Sequence, residues 1–516
     1  MARALPLLLV GATALAGCTV GPDYRPRTPA ELGVPDAYSV SAPASARSPG
    51  QGPGAPTRED LTRWWDRFDD PTLGRLVQAA AANNTDVAQA VARLRQAREA
   101  LIQSRSSLFP TVSGSTGYQR NENLRGGGRS FTLPDGTVVD TGGGGSNNFS
   151  VGLSASYQVG LFGEIRRTVE ASRAQQEASG YDYAAVILSV ESEAARNYVL
   201  ARAFQAQIAN ARSSLGLQDD NLEIAGFRVQ AGLVSSLDAE QARVQRAQTA
   251  ATIPSLEQQY NAAVSRLGVL TGQAPGALKS ELAATRPIPV GAPPAGIGIP
   301  ADALRQRPDV RAAERTLAAA TAQIGVAKAR LYPALAISGN INTNAASIGG
   351  IGDAITGSLF AGLTQAIFNG GRLRSQVRAQ EAAADGALAA YKGTVLLALE
   401  DIENAVVALQ TAQAREREFG VALDAANTSA LLSRSQYRSG LTDFTTLNQQ
   451  EAALLSARNG LTQARSDAAT ALIALYVALG GGWDAAAVPE APPRTAPAGT
   501  DPAPVPVPTT PAGETR

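Results

Sequence analysis

Histidine is absent from this chain, and cysteine and methionine occur once each in 516 residues. Without histidine, the commonest proton-transfer group and metal ligand is missing. A single cysteine excludes a disulfide within one chain and any cysteine-based metal site. An excess of one charge is lacking too: 45 Lys and Arg balance 45 Asp and Glu, so no basic footprint points to nucleic acid. Neither a P-loop, nor a G-x-S-x-G elbow, nor an H-E-x-x-H helix occurs. Glycines 126–128 and 142–145 have no following helix with lysine, so they read as an exterior loop and not a phosphate cradle. These absences point away from an enzyme and give no sign of a cofactor or metal.

What is present begins at Cys18. Arg3 gives a positive start, Ala4 to Ala16 is apolar apart from Thr13, and Ala16 and Gly17 are small residues before the thiol. This reads as a secretory signal over 1–17, too short to span a bilayer and expected to be removed. A cysteine at the cut suits a lipidated bacterial N-terminus, where acyl chains add about 0.8 kcal/mol per buried CH₂. Thr19, in place of an aspartate, favours the outer membrane as its destination. Residues 18–56, rich in Pro, Ser, Ala and Gly, read as an extended tether between lipid and body. Trp64, Trp65 and Phe68 read as a pin for the segment before the first helix.

The body is a duplication. DVAQAVARLRQAREALIQSRSSLFP (86–110) aligns with DVRAAERTLAAATAQIGVAKARLYP (309–333) at a constant offset of 223. FRVQAGLVSSLDAEQ aligns with QYRSGLTDFTTLNQQ at 208, pairing Gly232 with Gly440. The excess in the first copy falls mainly in 121–148, which reads as a long glycine-rich loop. The organisation is therefore repeat 1 over 57–272, a Pro/Gly-rich linker over 273–300, repeat 2 over 301–483 and a Pro/Ala-rich tail over 484–516.

Each repeat reads as helix, strand, strand, long helix, short helix. Residues 72–108 read as one helix ended by Pro110. In FSVGLSASYQV, Phe149, Val151, Leu153, Ala155, Tyr157 and Val159 alternate with small polar residues, the pattern of a strand between an apolar and a wet environment. Val112, Thr116 and Tyr118 repeat it weakly; Leu335, Ile337 and Ile341, then Leu359, Ala361 and Leu363, repeat it in the second copy. Eleven residues tilted near 45° cover about 26 Å, close to the apolar band of an outer-membrane barrel. Arg166 to Arg228 contains no proline and reads as a helix of roughly 95 Å. Its counterpart carries Leu388, Tyr391, Val395, Leu399, Ile402, Val406 and Leu409 on a coiled-coil a/d seam. Residues 237–271 read as a shorter returning helix interrupted at Pro254. Four strands cannot close a barrel, so several copies are required, and three would supply twelve strands and a helical wall of about 100 Å.

The start CTVGPDY, the WWDRFDDPTL segment, the paired LFP and LYP helix ends and the AGLVS and SGLTDF turns resemble the TolC-like outer-membrane efflux family. More narrowly they resemble its NodT-type lipoproteins serving RND pumps. The resemblance covers about residues 15–483. It implies a homotrimer: a twelve-stranded β-barrel in outer-membrane lipid, continued by a twelve-helix periplasmic α-barrel. It also implies partners, a periplasmic adaptor protein and an inner-membrane RND-type transporter, with drugs or other small molecules as cargo. Adaptor docking falls by resemblance on the turns Gly232, Leu233, Val234, Ser235 and Gly440, Leu441, Thr442, Asp443. The family's acidic gate positions, six and nine after the second glycine, hold Thr446 and Gln449 here, so a gate is expected there without its charge. Two alternatives stay open: a type I protein-secretion duct of the same fold, and a non-channel periplasmic coiled-coil spacer.

Overall fold

The computed structural model describes residues 19–40, 61–122, 129–141, 145–294, 300–486 and 488–492. Cys18, the signal segment and glycines 126–128 and 142–144 lie outside the described residues. The first repeat opens with α1 (Pro71–Asn83) and α2 (Thr85–Ser106), followed by strands β1 (Thr111–Asn121) and β4 (Ser146–Val159). Then come α3 (Glu164–Gln230) and α4 (Ser236–Leu270). After the short helices α5 (Lys279–Leu282) and α6 (Pro300–Gln306), the second repeat runs α7 (Pro308–Ala329), β5 (Ala334–Ala345), β6 (Ile355–Thr364), α8 (Arg372–Arg438) and α9 (Phe444–Ala478). The duplication is visible in the lengths: α3 and α8 have 67 residues each, α4 and α9 have 35, α2 and α7 have 22.

Four expectations need correction. The single helix over 72–108 is broken at Asn84, whose extended backbone lets its side chain accept from the N–H groups of Asp86 and Val87 and so start α2. Pro254 does not interrupt α4, which runs unbroken through it. A proline costs a helix about 3 kcal/mol, and α4 keeps both halves aligned by burying Ala242 and Thr249 before it and Ala263, Val264 and Leu267 after it. The loop over 121–148 contains a two-stranded ribbon, β2 (Arg129–Thr132) with β3 (Val138–Thr141), where Thr132 pairs with Val138. Finally, the start of the expected tether is fastened along its length over 19–40. Leu32 and Val34 pack among Leu304, Val310, Leu317 and Val395. Asp23 meets the buried guanidinium of Arg167 at 2.6 Å, and Ser39 holds Glu403 at 2.7 Å.

The main core lies where both repeats meet at mid-helix. Trp64, Trp65 and Phe68 enter it, and Trp64 stacks on Tyr476 with ring centroids 5.9 Å apart. The a/d seam of α8 is buried as its period requires: Val395, Ile402 and Val406 have no exposed surface, and Leu409 has 2 %. Leu278, Leu282 and Ile288 of the linker also join this core, and fully buried Arg202 donates to the carbonyl oxygens of Leu282 and Ala284.

Candidate functional site

At one end of the molecule the four long strands form an antiparallel sheet in the order β1-β4-β5-β6. The β4–β5 pairing joins the two repeats, with Leu153 opposite Ile341 and Ser154 opposite Asn340. The register sorts the large apolar side chains onto one face, Phe360 excepted. One face carries Val112, Val151, Leu153, Ile337, Ile341, Leu359 and Leu363; the other carries Ser113, Ser154, Ser156, Ser338, Asn340, Asn342 and Ser358. Hydroxyls and amides ladder across the second face, with Ser113 on Ser154 at 2.8 Å and Thr356 donating to Asn342 at 2.8 Å. Leu359 on the first face is 82 % exposed, and Val112 71 %. Leaving so many apolar side chains uncovered suits a lipid environment. Tyr118 and Phe149, on the same face, pack at 4.8 Å at one end of the sheet; Phe162 and Tyr332 stack at 4.7 Å beyond the other. Among the described residues, β1 and β6 are left with unpaired edges.

At the opposite end, α3–α4 and α8–α9 each reverse through the same device. Gly232 (φ +69°) and Gly440 (φ +73°) sit in the left-handed region that glycine adopts without steric cost. Leu233 N–H donates to Arg228 O at 2.9 Å, and Leu441 N–H to Gln436 O at 2.8 Å, which satisfies carbonyls left over at the helix ends. Ser235 then caps α4 through Leu237 N–H, and Asp443 caps α9 through Thr446 N–H at 2.6 Å. That hydrogen bond holds the Asp443 carboxyl below its usual range. Leu233 and Leu441 stand out at the tip, 70 % and 78 % exposed, beside exposed Phe227 and Leu237.

The two turns are tied to each other. Arg228 donates to Tyr437 O at 3.0 Å and lies 4.8 Å over the Tyr437 ring. Tyr437 packs edge-on against Phe444 at 5.9 Å, above a small cluster with Ala242 and Leu447. One step up, Glu451, 5 % exposed, accepts from Asn221 at 2.8 Å and from Arg434 at 2.9 Å. Burial pushes the Tyr437 hydroxyl up, and Arg228 opposes it. Of the expected gate pair, Thr446 is half-buried with its N–H on Asp443, and Gln449 is exposed one turn further along α9. Sequence reasoning located the turns but missed the Arg228–Tyr437 tie. The only available signal was an arginine and a tyrosine preceding the two glycines, which the duplication does not align.

A sheet with one lipid-suited and one water-suited face, continued by paired helices of 67 residues, defines a class: a membrane-barrel strand set carried on a long coiled-coil wall. The chain belongs to the outer membrane efflux protein family, whose model matches residues 76–273 and 299–481. It is 30 % identical over 491 residues to nodulation protein T of Rhizobium leguminosarum bv. trifolii, covering 91 % of this chain and 96 % of that protein. It is 32 % identical over 427 residues to the pyoverdine export outer membrane protein OpmQ of Pseudomonas aeruginosa, covering 82 % and 88 %. The solved outer-membrane channel OprN superposes with a TM-score of 0.79 at 34 % identity, covering 90 % of this chain and all of that one. The protein is accordingly an outer-membrane component with a helical part extending into the periplasm.

Proposed function

We propose that this protein is the outer-membrane channel-tunnel of a tripartite efflux system and conducts small molecules outward passively, without chemistry of its own. The observation that carries this reading is the two-faced sheet with both edges free, because an open edge in lipid strands a row of N–H and C=O groups. Copies that pair β6 with the next β1 remove every edge, and three copies give twelve strands. Lipid at Cys18 and the repeat boundaries 57–272 and 301–483 belong to this reading. So do the partners: a periplasmic adaptor resting on Gly232 to Ser235 and Gly440 to Asp443, and an RND-type inner-membrane transporter beyond it. The bare Leu233 and Leu441 side chains support a docking tip. Small-molecule cargo is favoured over a protein because relatives are named for pyoverdine, toluene and solvent efflux.

Extraction from outer membranes in mild detergent, with Cys18→Ser alongside, tests the reading by mass. A trimer is the expected outcome; a folded monomer would sink it and return the chain to the spacer alternative. For the gate, Gln449→Asp is expected to raise cation preference of the purified channel in a planar bilayer. Unchanged selectivity would remove Thr446 and Gln449 from the constriction.

A further inference from the structure

The free edges carry enough geometry to fix how neighbouring copies meet. Thr111, Ser156, Ser338 and Phe360 lie opposite one another across the four strands and define a level line through the sheet. β1 runs opposite to β4, β4 to β5 and β5 to β6, so β6 meets the next copy's β1 antiparallel. Side chains alternate with period two, so an odd slip at this seam would set the apolar face against the polar one. Only even slips survive. A slip of zero leaves 361–364 of the ten-residue β6 unpaired, and any backward slip drives it further past Pro110 towards α2. A forward slip of four lays Thr364 on Thr111 and Ile355 on Arg120, using all of β6 and all of β1 but Asn121. With about 3.3 Å per residue and about 4.8 Å per strand, four residues of slip over four strands tilt the strands by about 35°. Outer-membrane barrels tilt by roughly 35–45°. A slip of two gives only about 19°; a slip of six gives about 46°, just above that range, and leaves Thr111 and Val112 unpaired at one end and Ile355 at the other.

Resting on the channel reading above, we infer that copies of this chain join through a β6–β1 seam in which Phe360 lies opposite Ser115, Thr364 opposite Thr111 and Ser358 opposite Gly117. One observation independent of slip agrees. Phe360 is the single large apolar residue on the polar face of the described sheet, and it remains 63 % exposed. Its ring leans over Gly362, where an added Cβ would meet ring atoms at 2.6 Å. In this register the next copy offers Ser115 opposite the ring, with Ser113 and Gly117 on its diagonals, a floor of small residues that an aromatic side chain can cover. On the lipid side the same register sets Leu363 on Val112 and Leu359 on Thr116, continuing the apolar face across the seam.

The test is cysteine cross-linking of full-length protein in outer membranes, oxidised with copper phenanthroline, with the wild-type chain and its single Cys18 as control. Ser115→Cys with Phe360→Cys is expected to give dimer and trimer bands about tenfold faster than Ser115→Cys with Ser358→Cys or with Gly362→Cys. Those competing pairs stand two residues out of line, at about 7–8 Å, beyond disulfide reach. Thr111→Cys with Thr364→Cys repeats the test without touching Phe360. Preferential cross-linking of a competing pair, or none in a particle whose mass is trimeric, overturns the register and leaves the channel intact. A monomeric particle overturns the channel reading itself.

Discussion

The two long helices began as copies of one sequence and now carry different loads. α3 buries 25 of its residues within the chain, including Arg202, Gln205 and Asn221, because α2, α4, α7 and α9 all lie against it. α8, of equal length, buries 13, and Leu396, Leu397, Val421, Leu431 and Leu432 remain in the open. Exposed apolar side chains in such number call for a covering surface. What separates the helices is position: α3 sits in the middle of the chain's helical layer and α8 at its margin. A duplicated unit can thus complete its own core on one side and depend on a neighbouring copy on the other.

Opposite substitutions would break that contrast most sharply. Val199 is fully buried on α3, so Val199→Asp is expected to cost more than about 4 kcal/mol and to abolish accumulation of folded protein in the membrane fraction. Leu396→Asp on α8 should leave a helical, folded subunit by circular dichroism while lowering the mass of the detergent-extracted complex. A complex of unchanged mass would mean that this side of α8 faces water and not a partner.

A smaller effect concerns Glu191 of α3, which is 3 % exposed and carries one carboxylate oxygen without a hydrogen-bond partner. Burial pushes its pKa up to about 9, opposed only by Trp64. A free carboxyl ionises near 4.5. Between those values the folded state holds a proton that the unfolded state has lost, so stability falls as pH rises from about 4.5 to about 9. Glu191→Gln should therefore stabilise the fold at pH 8 by on the order of a few kcal/mol, read as a higher melting temperature, and change little at pH 4. An identical shift at both pH values would contradict a protonated carboxyl.

The smallest expected effects compare the two turns. Gly232→Ala and Gly440→Ala each force an L residue into positive φ, at about 1–2 kcal/mol. Gly440→Ala should cost more, because its new Cβ would stand 3.2 Å from the Arg228 guanidinium whereas Gly232 faces open space. Equal losses in thermal stability would show that the Arg228–Tyr437 tie yields freely.

Much of this was legible from the chain alone. Period-two runs marked the four strands of the sheet, the a/d seam marked the buried side of α8, and the offsets of 223 and 208 marked the repeats. The β2–β3 ribbon was hidden because four-residue strands between glycine clusters carry too few alternations. Pro254 misled because a local penalty was read without the packing that outweighs it. The N-terminal segment misled because Pro and Ser content speaks of chain stiffness and says nothing of where Leu32 and Val34 dock.

By itself, then, the sequence determined the duplication, the two long helices, the four long strands and the sidedness of those strands, since these follow from periodicities within a few residues. Only the tertiary structure decided that β4 pairs with β5 across the repeats, that Asp23 reaches Arg167 and that Arg228 ties the first turn to Tyr437 of the second. Those contacts join residues more than a hundred positions apart. Their energy comes from desolvation and geometry that exist only once the long helices have come together side by side.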